Sequence, residues 1–164
     1  MFELVPMTPA HAAEVDGWRY DPPYDFYDLR ADPEDRAAFL DPDGWEHTRA
    51  VLDGPDGALV GFVQFDPKPG AAAVGLGMAP AETGRGRGTA FVEAGLEYAR
   101  ERYDPERFEL SVATFNERAI AVYERCGFER VGTETVETNG GVHEFVRMAR
   151  VTGDTTQSTS ENRA

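Results

Sequence analysis

The chain is 164 residues long and 41% hydrophobic, and 30 acidic against 16 basic residues give a formal net charge of −14. That length suits one domain with a real core, and no apolar run is long enough to span a bilayer. The negative charge disfavours nucleic acid and anionic membranes as partners.

A lone cysteine, Cys126, excludes an internal disulfide framework and fits a reducing compartment. The opening MFELVPMTPA has neither the basic region nor the apolar run of a signal peptide, so a cytoplasmic protein is expected. Lys68 is the only lysine. An acidic, lysine-poor chain is what a high-salt cytoplasm favours, because screening removes the self-repulsion. An ordinary acidic soluble protein is the competing reading, and unfolding on dilution out of salt separates the two.

Residues 2–6 (FELVP) read as a short strand. Thr8 and Pro9 then open a helix, a cap followed by a first-turn proline, with Ala12, Val15 and Trp18 at helical spacing. His11, in its first turn, reads as a plain surface or packing residue. Residues 18–46 are irregular, with four prolines interleaved among Trp18, Tyr20, Tyr24, Phe26, Tyr27 and Trp45. The stretch is too aromatic for a linker, and a loop this long in a compact domain is usually functional. Within it, Asp32-Pro33 opens a short helix through Leu40.

From residue 48 the pattern becomes sheet-like. Strands at 48–52 and 58–65 flank the turn sequence DGPDG, and a second turn, DPKPG, leads to a strand at 73–79. A helix over 88–102 turns Phe91, Val92, Leu96 and Ala99 to one side, with Gly95 permitting close approach to a sheet. A strand at 108–114 follows. Asn116 then caps a helix that Gly127 stops, and a hairpin pairs 128–136 with 142–150 across NGG. The polar residues 151–164 read as a disordered tail, leaving a single domain over 1–150. This order predicts an α/β fold, a sheet covered by helices.

Two stretches carry chemistry. In the first, Gly84, Gly86 and Gly88 alternate with Arg85 and Arg87 between a strand and a helix start. Such a turn lets backbone N–H groups approach an anion, and the helix dipole favours negative charge there. The two arginines read as mobile positive charge rather than packing. No GK[ST] follows, and the GxGxxG spacing fails from either Gly84 or Gly86, so common nucleotide folds are disfavoured. In the second, Asn116, Ala119, Ile120 and Tyr123 share one helix side, where Asn116 equally suits a cap and Tyr123 equally suits packing.

Together these stretches resemble the GNAT superfamily of acyl-CoA-dependent N-acetyltransferases. The family's cofactor motif, Arg/Gln-x-x-Gly-x-Gly/Ala, is matched by Thr83-Gly84-Arg85-Gly86-Arg87-Gly88, with Thr83 in place of the long donor. Its later motif, Asn-x-x-Ala-x-x-x-Tyr followed by Gly-Phe, is matched throughout by NERAIAVYERCGF at 116–128. The resemblance covers about 47–150. It implies a mixed, mostly antiparallel central sheet of six or seven strands with helices on both faces. It also implies acetyl-CoA as co-substrate, its pyrophosphate held by residues 83–88 with Thr89, and its pantetheine beside Met78, Ala79, Asn116 and Ala119. Backbone at Met78 would bond the thioester carbonyl, and Tyr123 would protonate the departing thiolate. A primary amine of a small molecule or peptide is the implied acceptor, and a homodimer is common for the fold.

No single general base stands out. Asp21, Asp25, Asp66 and Glu144 are all conceivable, as are His47 and His143. The stretch WRYDPPYDFY resembles one found in GNAT proteins of unassigned substrate. It suggests an acceptor wall of Trp18, Tyr24 and Tyr27, with nearby acids to hold a cationic amine. Aromatics that merely anchor the loop are the alternative. No metal-ligand spacing occurs, and Cys126 lacks the neighbours of a nucleophile. A non-catalytic acyl-CoA-binding module on the same fold is the competing function.

Overall fold

The computed structural model describes residues 1–152. Most of the polar tail expected from residue 151 therefore lies outside the described residues. The strands are β1 (Phe2–Pro6), β2 (Thr48–Asp53), β3 (Leu59–Lys68), β4 (Ala71–Met78), β5 (Arg107–Ala113), β6 (Glu129–Thr138) and β7 (Gly141–Val151). The helices are α1 (Pro9–Asp16), α2 (Pro33–Leu40), α3 (Gly88–Tyr103) and α4 (Glu117–Arg125). All seven strands join one sheet in the order β1-β2-β3-β4-β5-β7-β6. The mixed, mostly antiparallel sheet that the family resemblance implies is what forms.

Local chemistry explains most boundaries. Thr8 Oγ1 accepts from the His11 N–H at 3.1 Å, and Pro9 occupies the first turn of α1. That helix stops at Asp16, so Trp18 leaves the helical stripe expected of it and stacks on Phe62, ring centroids 6.3 Å apart. The turn after β3 is shorter than expected. Asp66, Pro67 and Lys68 stay in the strand, paired with Ala73, Ala72 and Ala71. Pro67 is tolerated because β2 pairs only as far as Gln64, which leaves that side of β3 without a partner strand. Asn139 and Gly140 both have positive φ, as a two-residue hairpin turn requires.

Alternation along β2 shows how two layers share one sheet. Val51 joins the cluster that α3 and α4 cover, with Val63, Phe91, Leu96, Phe108 and Met148. Ala50 faces the other way, into the cluster of Met7, Val15, Phe39 and Leu59 under α1 and α2. Helices thus cover both faces.

One junction departs from the rest. β4 and β5 are parallel, and their pairing covers only Ala71–Ala73 against Arg107–Glu109. Beyond Ala73 the strands separate, and the wedge between them opens toward Met78. On its other edge β4 stays paired with β3 through to Gly61 opposite Met78. Glycine is needed there: a Cβ on Gly61 would lie 2.6 Å from the Gly77 carbonyl oxygen and 2.5 Å from the Phe91 ring.

Asp32 ties the loop region to the far hairpin. Its carboxylate accepts from the Glu34 and Asp35 N–H groups at 3.0 and 3.2 Å, capping α2. It also accepts from the Asn139 N–H at 3.0 Å and the Thr138 hydroxyl at 2.8 Å. These bonds, the Asn139 N–H foremost, hold its pKa down to about 2 from an ordinary 3.8. A depressed carboxylate stabilises the fold above its unfolded pKa and loses that contribution as pH falls through the folded value. Denaturant titrations should therefore show wild-type stability declining between pH 3.8 and about 2 more steeply than in Asp32→Asn. Parallel slopes would refute this role. At neutral pH, Gly61→Ala should lose roughly 1–3 kcal/mol by overpacking against backbone that cannot yield, with an unchanged denaturant slope.

Candidate active site

The turn after β4 joins that strand to the N-terminus of α3 through glycines. A 3-10 turn (Pro80–Glu82) leads to Gly84 and Gly86, with φ +72° and +76°. A Cβ at either would touch nothing within 4 Å, so backbone conformation rather than crowding requires glycine. α3 then starts with no capping side chain and no acid in its first turn. Its first N–H groups face outward without a side-chain partner. Gly88 serves differently: a Cβ there would lie 3.2 Å from Val122 of α4, so it sets the approach of two helices.

The side chains of this turn divide. Thr83 Oγ1 donates to the Pro80 carbonyl at 2.8 Å, which leaves it no proton for a phosphate. Arg85 is mostly exposed, reaching the Ala81 carbonyl at 3.3 Å and Glu82 at 3.9 Å. Arg87 corrects the expectation of two mobile cations. It pairs with Glu82 at 2.6 Å and Asp53 at 3.3 Å, and its guanidinium lies 4.7 Å from the centre of the Phe2 ring. It is a strut that fastens the turn to β1 and β2, and its charge is already matched.

The wedge between β4 and β5 forms part of an open groove of about 610 Å³. Ala79 donates its N–H to Val60 at 2.9 Å, so its amide belongs to the sheet. By strand alternation, the N–H and C=O of Met78 face away from β3, into the wedge. The C=O is taken by the Tyr20 hydroxyl, which donates a short hydrogen bond to it. Tyr20 itself is anchored by Asp28, buried to 5% exposure, which accepts the Tyr20 N–H at 3.0 Å and has Arg30 at 3.6 Å. Burial and the neighbouring Asp28 charge drive the Tyr20 pKa strongly upward. The Met78 N–H is left facing the groove.

α4 supplies the opposite wall. Asn116 Oδ1 accepts from the Ala119 N–H at 3.2 Å as helix cap, while its Nδ2 donates to the Tyr27 hydroxyl at 3.3 Å. Cap and loop contact thus use different atoms of one amide. Tyr123 lines the groove beside Ala119 and Thr89 and packs edge-on against Phe128 at 6.0 Å. Its hydroxyl makes no hydrogen bond among the described residues. Burial, then the nearby Tyr27 phenol and Cys126, push its pKa strongly upward. Cys126 is buried, its Sγ 3.8 Å from the Thr89 carbonyl, and burial raises its thiol to about 11. That is the environment of an inert cysteine.

Trp18, Tyr24 and Tyr27 all reach this groove. Tyr24 and Tyr27 pack around Phe115, at 6.3 and 6.0 Å. The acids and histidines weighed as a base do not line it. His47 bonds the Tyr103 hydroxyl at 2.9 Å, near the C-terminal end of α3. Asp66 sits opposite Ala73, about 17 Å along β4 from Met78 at strand spacing. His143 packs on Phe26 at 4.9 Å, and Asp21, Asp25 and Glu144 are likewise outside the lining. Among the described residues, Glu82 is the only carboxylate in the lining, and Arg87 holds it.

Sequence reasoning passed over Arg118. It lines the groove with its guanidinium 4.1 Å from the centre of the Tyr24 ring, and it has no ion pair among the described residues. A signal was available. An arginine in the first turn of a helix opposes the helix dipole, so helix stability does not account for it. Tyr20 was noted only as part of the aromatic stretch. Nothing in sequence spacing links it to Met78, 58 residues away.

A family model described as Acetyltransferase (GNAT) family matches residues 12–128. The chain belongs to that family. The match begins in α1, well before the stretch that the motifs alone suggested. A mycothiol acetyltransferase from Salinispora tropica is 40% identical over 82 residues, 46% of this chain and 27% of that protein. This GNAT chain thus aligns with about a quarter of that relative's length. Among solved structures, spermidine N-acetyltransferase from Vibrio cholerae in complex with CoA and spermine overlays with a TM-score of 0.71. It is 19% identical, over 93% of this chain and 96% of that one. AAC(6')-Ib in complex with paromomycin and acetyl-CoA overlays at 0.73 and 22% identity, over 98% of both chains. These overlays bear out the GNAT fold. No helix of the described residues is long and apolar enough to cross a membrane.

If Arg87 is a strut, Arg87→Met should lower stability by about 1 kcal/mol, the sum of a weak ion pair and a cation–π contact. A Phe2→Leu, Arg87→Met double-mutant cycle should give a non-zero coupling, and strict additivity would refute the contact.

Proposed function

We propose that this GNAT protein transfers an acetyl group from acetyl-CoA to a primary amine of a small molecule or peptide, by direct attack with both substrates bound. One observation carries the reading. The wedge between β4 and β5 presents the Met78 N–H to the same groove that Tyr123 lines. The CoA and acetyl-CoA complexes of structural neighbours support the choice of thioester.

The residues present fit the co-substrate. Outward N–H groups of Gly84–Gly88 and of the α3 start suit a pyrophosphate, and the mostly exposed Arg85 stands beside them. Thr89, Asn116 and Ala119 border the path from there to Met78. Acetyl-CoA supplies an activated acyl group. The Met78 N–H donates to the acyl oxygen as negative charge develops on it, in a groove where Tyr20 holds the adjoining carbonyl rigid. Removing such a donor typically costs about 3–4 kcal/mol of barrier.

Tyr123 stays protonated at any working pH because burial raises its pKa. Its hydroxyl, unbonded among the described residues, is available to the departing sulfur. The same dry surroundings raise the proton affinity of a thiolate formed beside it, so proton donation is not opposed by the tyrosine's shift alone. With no unpaired carboxylate in the lining, the proton lost by the attacking amine passes to water. The amine must therefore arrive neutral, and turnover should rise with pH toward the amine's own pKa.

Tyr123→Phe should lower turnover at least tenfold in a thiol-release assay, while calorimetry finds acetyl-CoA affinity within about threefold of wild type. Full activity would remove Tyr123 from the mechanism. Absence of acetyl-CoA binding by the wild-type chain would remove the whole reading.

A further inference from the structure

We propose that the acceptor is an amino acid, an amine carrying a carboxylate close by, and that Arg118 holds that carboxylate. The inference rests on the acyl-transfer reading and names the substrate class within it.

Arg118 is set up for such a partner. One face of its guanidinium is covered by Tyr24, at 4.1 Å from the ring centre. That leaves the N–H edge, a planar fork matched to carboxylate geometry. It makes no hydrogen bond or ion pair among the described residues, in a chain with almost two acids for each basic residue. It lines the same groove as Met78 and as Tyr20, whose hydroxyl clamps the Met78 carbonyl.

The groove's net character points the same way. Asp21 and Asp25, the acids expected to receive a cationic amine, do not line it. Glu82 does, but Arg87 neutralises it at 2.6 Å. Arg125 lines the groove as well. A polyamine would bring several ammonium groups to a site whose unmatched charges are positive. An amino acid brings one negative group for Arg118 and one amine. The cation beside that amine also disfavours its protonated form, which matters where no carboxylate base is at hand. Trp18, Tyr24, Tyr27 and Phe62 form the remaining wall, which suits an aromatic or branched aliphatic side chain.

The test is calorimetric titration of the full chain saturated with CoA. The probes are phenylalanine and leucine, their decarboxylated counterparts phenethylamine and isopentylamine, and spermidine. At least one amino acid should bind tenfold or more tightly than its decarboxylated counterpart and than spermidine. In Arg118→Gln that ratio should fall below threefold with acetyl-CoA affinity within twofold of wild type, and Arg118→Lys should recover part of it. The proposal is overturned if neither amino acid binds, or if the carboxylate-free amines bind as tightly. It is also overturned if Arg118→Gln instead weakens acetyl-CoA tenfold and leaves the ratio unchanged, which would assign the arginine to the co-substrate. Thiol release on the same panel separates the two readings. Selective amino-acid binding without thiol release from any probe would sink acyl transfer and leave the Arg118 site standing.

Discussion

Backbone groups in a sheet must find partners, and β4 and β5 stop supplying them to each other after three residue pairs. Everything around the groove follows from that separation. Within the wedge, β4 still bonds β3 on one edge while its other edge is free. The Met78 carbonyl is satisfied by a side chain from the loop before α2, and the Met78 N–H is left facing the groove. α4 closes the far side through an asparagine that caps its own helix and bonds Tyr27 of the same loop. The irregular stretch of residues 18–31 is thus held at both strand and helix, by Tyr20 and by Tyr27. Its aromatics Trp18, Tyr24 and Tyr27 line the groove from a loop that these two contacts anchor.

Charge is distributed against the grain of the whole molecule. The chain carries a formal charge of −14, yet the groove lining holds two arginines, Arg118 and Arg125, that have no ion pair among the described residues. Arg87 shows the contrast. It sits in the glycine turn, where an arginine reads as a phosphate ligand, and is absorbed by Glu82, Asp53 and Phe2. Arg118 sits in a helix, where it reads as ordinary surface, and is the one left without a counter-charge beside the aromatic wall. Local sequence context does not show that Arg87 is already paired, because that pairing depends on partners 34 and 85 residues away, Asp53 and Phe2.

Much was legible without coordinates. Elements began and ended where caps, prolines and glycines placed them, because those residues act over one helical turn or one hairpin. Thr8, Asp32 and Asn116 each cap the helix expected of them. The misreadings were local too. Trp18 was counted into α1, since periodicity does not register where Gly17 ends a helix. The DPKPG turn was drawn too long, since a proline facing an empty edge costs a strand nothing.

By itself, the sequence determined the α/β class, the motif-bearing helix from Asn116 to Tyr123 and the glycine turn, because each is written in neighbouring residues. Tertiary structure alone decided which side chains meet. The Tyr20 clamp on Met78, the bond from Asn116 to Tyr27, and the ties of Arg87 to Asp53 and Phe2 are contacts across the fold, and the absence of every weighed base from the groove lining is likewise set by the fold. They depend on how far β4 and β5 diverge and where one loop is pinned, and no periodicity along the chain encodes either.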